Sequence, residues 1–134
     1  MKKLAKTLLT IVVIVVAFIA STAMVFSIRM NSQVKSFDRS GIDISQVSDG
    51  VYNGHSETDL VKVEVSVKIS DGMLQDIEIL RHECGKGHPA NKIVKDMLKK
   101  NDIEVDAISG ATMSSEVIKD AVRNALREGR LINY

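Results

Sequence analysis

The sequence DAISGAT, residues 106–112, joins a short apolar run to the start of a predicted helix. Gly110 tolerates a positive φ and lets a ligand approach the backbone, and Ala111 adds little bulk beside it. Ser109 and Thr112 offer hydroxyl groups on either side. Such a stretch suits a phosphate-binding loop, but it is more often an ordinary tight connection that caps a helix. The stretch alone leaves both interpretations open.

The segment after Thr112 has the pattern of an amphipathic helix. Ser114, Ser115 and Glu116 are residues that favour a helix start. Apolar residues follow at helical spacing: Val117, Ile118, Ala121, Val122, Ala125 and Leu126. We therefore expect Thr112 to lie just ahead of the first turn, where unpaired amides and the helix dipole favour an anion. Gly129 suits the position after a helix, so the helix is predicted to end there.

The whole string Asp106-x-x-Ser109-Gly110-Ala111-Thr112 resembles the flavinylation motif of the FMN-binding domain family. That family occurs in subunits of membrane redox complexes and in small stand-alone proteins. The match to the motif has no gap or substitution, and the resemblance covers residues 48–128. It favours the phosphate-binding interpretation of the stretch.

The resemblance implies a cofactor and the way in which it is attached. In the family, FMN is joined through its phosphate to the last threonine of the motif, which is Thr112 here. The residues expected to contact FMN are Asp106, Ser109, Gly110, Ala111, Thr112, Met113, Ser114 and Ser115. The resemblance further implies a flavin transferase that moves FMN from FAD to the threonine, and membrane redox partners that serve as electron donor and acceptor. We therefore expect an electron carrier or a redox subunit rather than an independent enzyme.

The N-terminal segment Thr7–Ile28 carries no charge and consists mainly of apolar residues. As a helix it is long enough to cross a bilayer core of about 30 Å. Lys2, Lys3 and Lys6 precede it, and the positive-inside tendency places the N-terminus in the cytoplasm and the rest of the chain outside. A cleaved signal peptide is the alternative, because residues 21–23 form a passable cleavage site. The apolar run continues beyond them, which favours a retained anchor.

Three parts are predicted along the chain: residues 1–30 as a membrane anchor or signal peptide, 31–48 as a polar tether, and 49–130 as the FMN-binding domain. Subtracting the three lysines before the apolar segment from the 18 basic residues leaves 15, against 17 acidic residues. A nearly neutral domain has no electrostatic footprint for nucleic acid. Cys84 is the only cysteine, so the chain forms no internal disulfide.

The domain is predicted to be α+β, with a small antiparallel sheet covered by two helices and preceded by one N-terminal transmembrane helix. Val51 is expected to open the first strand. Apolar and polar residues alternate over 61–69, and again around Ile77 and Ile79, as in strands with one buried face. Pro89 suits the first turn of a helix, which together with the C-terminal helix would cover that face.

The turn at residues 70–72 decides how the second and third strands pair. A two-residue loop would pair Val67 with Asp76 and place opposite polarities on one face of the sheet. We therefore predict a three-residue loop, in which Val65 faces Ile77 and the apolar residues share one face.

Residues 81–88, RHECGKGH, are the densest run of functional side chains outside the motif. His82, Cys84 and His88 invite a metal site. The sequence predicts no bound metal, because these ligands lie in a single glycine-rich loop without a second cluster to complete a tetrahedral set. A solvated loop with Cys84 against the core is another interpretation. The resemblance implies a third, in which the loop lies beside the flavin, His82 or His88 contacts FMN, and Lys86 favours its negatively charged reduced form.

Two functions from other classes stay open at this point. The domain could bind a phosphate-bearing ligand without a covalent linkage, as an anchor or sensor module, or it could handle a metal through the loop of His82, Cys84 and His88. Covalently bound flavin would separate the electron carrier from both.

Overall fold

The computed structural model of the protein describes residues 1–131, in two compact units. The first unit is helix α1, Lys2–Lys35, and the second begins at Ser36. The second unit contains the strands β1 (Gly50–Glu57), β2 (Lys62–Ser70) and β3 (Met73–Glu83), followed by the helices α2 (Ile93–Lys100) and α3 (Thr112–Leu131). Two 3₁₀ segments, Ile44–Gln46 and His88–Lys92, precede β1 and α2 respectively.

Helix α1 contains the predicted apolar span. Its 34 residues are long and apolar enough to cross a membrane. Residues 31–35 of the predicted tether belong to this helix. Ile44 and Val47 are buried in the core of the second unit, so the end of the predicted tether contributes to the folded domain. A tether function for residues 31–48 stays a prediction.

The three strands form an antiparallel sheet in the order β1-β2-β3, which confirms the predicted α+β fold. Alternate residues of β2 are buried on one face: Val63, Val65, Val67 and Ile69. Helix α3 packs against β1 and β2, and helix α2 packs against β3. The apolar stripe predicted for the last helix is buried in this core: Val117, Ile118, Ala121, Val122, Ala125 and Leu126.

Gly54 allows helix α3 to lie close to strand β1. A Cβ at this position would be 1.9 Å from the carbonyl oxygen of Ala121 and 2.7 Å from the amide nitrogen of Ala125. Any side chain would therefore push the helix backbone away. The close contact fixes α3 along β1 and thereby sets the position of its first residue, Thr112.

The predicted register of the β2–β3 hairpin is wrong. Asp71 and Gly72 both have positive φ, 54° and 69°, and form a two-residue turn of the kind that matches strand twist. Gln75 is an extra residue in β3, a β-bulge that shifts the pairing by one. Val67 consequently faces Ile77, so the apolar faces match without a three-residue loop.

The predicted end of the last helix is also wrong, because α3 continues through Gly129 to Leu131. A Cβ on Gly129 would lie 2.6 Å from the ring of Tyr52 and 2.6 Å from Cγ1 of Val47. The glycine is therefore needed for packing against these side chains, and it does not end the helix.

Candidate functional site

An irregular loop, residues 102–111, leads from α2 to α3 and carries most of the DAISGAT motif. Asn101 ends α2 in the left-handed conformation, with φ 52°. Ile103 and Val105 are buried, whereas Glu104 and Asp106 are exposed. Residues 103–105 thus attach the loop to the core with alternate side chains.

Glu104 ties this loop to helix α3. Its carboxylate accepts a hydrogen bond from Arg123 at 2.5 Å and lies 3.4 Å from the ammonium group of Lys119. Both cations are buried, and Arg123 also pairs with the buried Asp120 at 3.4 Å. This network was not predicted from the sequence. The available signal was the spacing of Lys119 and Arg123, four residues apart beside the apolar stripe of the helix.

The pKa of Glu104 reflects this environment. Partial burial raises the pKa, but the hydrogen bond from Arg123 and the charge of Lys119 outweigh that effect and hold the pKa of Glu104 below its usual value of 4.5. Glu104 is therefore ionised at neutral pH, and its charge holds the loop against the helix.

A tight turn over residues 108–111 brings the chain to the start of α3. The amide of Ala111 donates to the carbonyl of Ile108 at 2.9 Å, and Gly110 has φ 77°. The hydroxyl of Ser115 accepts from the amide of Ile108 at 3.0 Å and donates to the carbonyl of Ala111 at 2.9 Å. Ser115 thus fixes both ends of the turn. Gly110 is exposed, and a Cβ added to it would meet nothing within 4 Å.

Thr112 is the first residue of α3, and its side chain is exposed. The first backbone hydrogen bond of the helix runs from the amide of Ser115 to the carbonyl of Ala111, at 3.0 Å. The amides of residues 112–114 precede that bond and so have no acceptor within the helix. A hydroxyl and a group of free amides therefore lie together at this end of α3, where the dipole favours an anion.

The loop after β3 packs on the first turn of α3. A Cβ on Gly87 would lie 1.9 Å from the hydroxyl oxygen of Ser114 and 2.8 Å from its Cβ. Gly87 has φ −84°, so its role is to allow close contact and not to relieve backbone strain. Through this contact the loop of residues 84–87 lies beside the turn that carries Thr112.

A second bulge in β3 directs His82 toward the inner face of the sheet. Leu80 is an extra residue, so that Arg81 faces Glu64 and His82 faces the buried Val63. Without the bulge, Arg81 would occupy the inward position opposite Val63. Sequence alternation could not reveal this arrangement, because the bulge depends on pairing with β2.

His82 makes one hydrogen bond through its ring. Its Nδ1 lies 2.6 Å from Oδ1 of Asn91, and its Nε2 is buried without a hydrogen-bond partner among the described residues. His88 lies nearby, with the ring centroids 5.5 Å apart in an edge-on arrangement. The structure thus brings both predicted histidines together.

The predicted contact residues differ in exposure. Asp106, Ser109, Gly110 and Thr112 are exposed, and Met113 is half-buried. Ala111, Ser114 and Ser115 are buried, and the hydroxyl of Ser115 is already engaged within the protein. Their roles in contacting FMN stay predictions.

The profile of the FMN-binding domain family matches residues 51–127, from β1 through most of α3. This range includes the strands from residue 51 onward and the whole motif. It also includes residues 81–88, which carry His82 and His88 and are called the histidine loop below. The chain belongs to the FMN-binding domain family. The comparison confirms the resemblance stated from the motif. A comparison with curated protein sequences gives no significant match.

The geometry of this FMN-binding domain fits a phosphate attached at Thr112. The hydroxyl is exposed, the open side of Gly110 leaves room next to it, and the first-turn amides supply donors. Glu104 holds the loop on helix α3, and Ser115 holds the turn before Thr112. The residues present therefore suit the cofactor of the family.

Proposed function

We propose that this FMN-binding domain carries FMN covalently on Thr112, through a phosphoester, and transfers electrons at the extracytoplasmic side of a membrane. The observation that carries the proposal is the complete motif with its threonine exposed at the start of α3. Helix α1 would retain the domain in the membrane as a single-pass anchor with a cytoplasmic N-terminus.

Attachment requires a flavin transferase with FAD as its substrate. The hydroxyl oxygen of Thr112 forms a bond to the phosphorus of the FMN half of FAD, the pyrophosphate linkage breaks, AMP leaves, and the hydroxyl proton passes to a base or to water. The exposed hydroxyl gives the transferase access. A Cβ added to Gly110 would have no neighbour within 4 Å, so the enzyme and the phosphate can approach from that side.

After attachment, the protein holds and orients the phosphate. The amides of residues 112–114 would hold the phosphate by hydrogen bonds, and the helix dipole would favour its negative charge. Bound FMN supplies one- and two-electron redox chemistry. The histidine loop packs beside the first turn of α3 and forms one wall near the attachment point.

Membrane attachment would determine which molecules react with the domain. A carrier confined to a membrane surface meets other membrane-bound redox proteins at a raised effective concentration. An electron donor and an acceptor in or on the same membrane are therefore the expected partners.

The test uses the full chain coexpressed with a flavin transferase, followed by peptide mass spectrometry. A mass increase equal to FMN less one water, on the peptide containing Thr112, supports the proposal. Thr112→Ala should yield a colourless protein with unchanged circular dichroism, because it removes the acceptor oxygen from an exposed position.

Ser45→Ala is the control, since it removes an exposed hydroxyl that lies outside the motif. This variant should remain flavinylated. An unmodified Thr112 peptide in protein that nevertheless holds FMN would favour noncovalent binding, and flavin on a different residue would contradict the assignment of Thr112.

A further inference from the structure

The side chains of His82, Cys84 and His88 form a cluster to which the attachment of FMN at Thr112 gives no joint role. One ligand atom from each lies within 4.8 Å of the others. His82 belongs to β3 and His88 begins the 3₁₀ segment before α2, so the cluster draws on two elements as well as the loop between them. The prediction of no metal assumed that all three ligands lay in a single flexible loop, and the structure removes that premise.

The imidazole of His82 is oriented as a ligand. Its Nδ1–H donates to Oδ1 of Asn91 at 2.6 Å, which leaves the lone pair of Nε2 unprotonated in the neutral ring. That Nε2 is buried and has no hydrogen-bond donor among residues 1–131. A buried acceptor without a partner is costly. Metal-binding histidines usually donate their other ring N–H to an oxygen in this way. The hydrogen bond to Asn91 would therefore orient the ring of His82 for a metal.

We propose that His82 Nε2, Cys84 Sγ and a ring nitrogen of His88 bind one divalent cation of the zinc class. Two imidazoles and a thiolate favour zinc over magnesium or calcium, which prefer oxygen ligands. Tetrahedral zinc, with bonds of about 2.0–2.3 Å, needs ligand atoms roughly 3.3–3.8 Å apart. The exposed His88 and the half-buried Cys84 can move by about 1 Å to reach that spacing.

The proposed site has an open position. Three protein ligands leave the fourth tetrahedral corner for water or an external ligand, as at zinc sites that are not purely structural. The site lies beside the first turn of α3 through the contact of Gly87 with Ser114.

The experiment uses the full chain in detergent, produced without a flavin transferase so that no flavin absorbs. After chelation, Co²⁺ is titrated and the absorption spectrum recorded, and Zn²⁺ is then added. The proposal expects one Co²⁺ per chain with a dissociation constant below about 1 μM, a thiolate-to-cobalt charge-transfer band, and displacement by one Zn²⁺.

Four variants make the test specific. Cys84→Ser should remove the charge-transfer band, and His88→Ala should weaken binding at least tenfold without disturbing the fold, because His88 is exposed. Asn91→Ala should weaken binding about 10- to 100-fold by releasing the ring of His82. His55→Ala is the control, since His55 is an exposed histidine of β1 outside the cluster, and it should leave binding unchanged.

Several outcomes would overturn the proposal. These are the absence of cobalt binding in the micromolar range, a cobalt spectrum without the thiolate band, and equal losses for His55→Ala and His88→Ala. Because unflavinylated protein is used, none of these outcomes depends on whether Thr112 carries FMN.

Discussion

At the scale of single residues, Glu104 shows how the loop before Thr112 is held on helix α3. Its side chain is 55% exposed, while that of Arg123, its partner at 2.5 Å, is only 4% exposed. Removal of the carboxylate would leave Arg123 with Asp120 as its remaining ion-pair partner in the described residues. The contribution of Glu104 is therefore greater than its own exposure suggests, because it neutralises a buried cation.

We predict that Glu104→Gln lowers the free energy of unfolding at pH 7 by about 0.5–1 kcal/mol, the upper range for partly exposed pairs. The pKa of Glu104 is lower in the folded protein than its usual value of 4.5. Its stabilising effect is therefore fully present above that value and is lost as the pH falls through the folded pKa. Urea unfolding of the full chain in detergent, followed by tyrosine fluorescence between pH 7 and pH 3, measures the difference.

The difference between wild type and Glu104→Gln should shrink toward the acidic end of this range. Glu128→Gln is the control, because Glu128 is an exposed carboxylate on helix α3 and its removal should have little effect at any pH. A Glu104→Gln effect that stays constant down to pH 3 would mean that its charge is not the cause.

The residues of the motif illustrate what a sequence can and cannot reveal about a site. The unbroken motif predicted the family, which the family match confirms, and it marked Thr112, whose role as the acceptor stays a prediction. The two hydrogen bonds by which the hydroxyl of Ser115 holds the turn together were not predictable. A hydroxyl near a helix start suits a cap, a ligand contact or a hydrogen bond within the protein equally well. Only the three-dimensional path of the loop decides among them.

At the scale of elements, the contact between the histidine loop and α3 depends on a missing side chain. Gly87 faces the hydroxyl of Ser114 so closely that a methyl group would overlap it, at 1.9 Å. Gly85, two residues earlier, would have no atom within 4 Å of an added Cβ. The two glycines therefore form a matched pair that separates packing from the general effect of adding a methyl group to this loop.

We predict that Gly87→Ala lowers the free energy of unfolding by about 1–3 kcal/mol through overpacking. It should also slow flavinylation of Thr112, because relief of the overlap requires movement of the loop or of the first turn of α3. Gly85→Ala should change neither quantity appreciably. Urea unfolding and a time course of FMN incorporation measure the two effects.

A second substitution tests the cause of the Gly87→Ala effect. Ser114→Gly removes the two nearest atoms that the new methyl would meet, so the double variant should recover part of the lost stability relative to the sum of the single changes. Additive losses would show that the contact with Ser114 is not responsible.

The elements themselves were predictable where the pattern was local. Alternation over residues 61–69 predicted β2, and helical spacing predicted the buried face of α3. The bulges at Gln75 and Leu80 were not predictable, because each is defined only by pairing with β2. The prediction that Gly129 ends the helix was wrong for a similar reason. A glycine is required at this position because the ring of Tyr52, which is distant in sequence, packs against it.

At the scale of the whole molecule, the chain combines an apolar N-terminal helix with a separately folded FMN-binding domain. The three lysines at its start lie on one side of the apolar span, which favours a cytoplasmic N-terminus. A domain on the opposite side would need its flavin transferase and its redox partners there as well. Topology therefore determines where the proposed carrier can be matured and used.

We predict that the chain remains in the membrane after carbonate washing, because a span of about 20 apolar residues inserts as a full transmembrane helix. In a Cys84→Ser background, an impermeant maleimide added to intact spheroplasts should label Gly41→Cys, at an exposed position with nothing within 4 Å of the added Cβ. Lys3→Cys should react only after permeabilisation, since it lies before the span. The reverse labelling would contradict the topology, and a soluble product that has lost residue 3 would identify the N-terminal segment as a cleaved signal peptide.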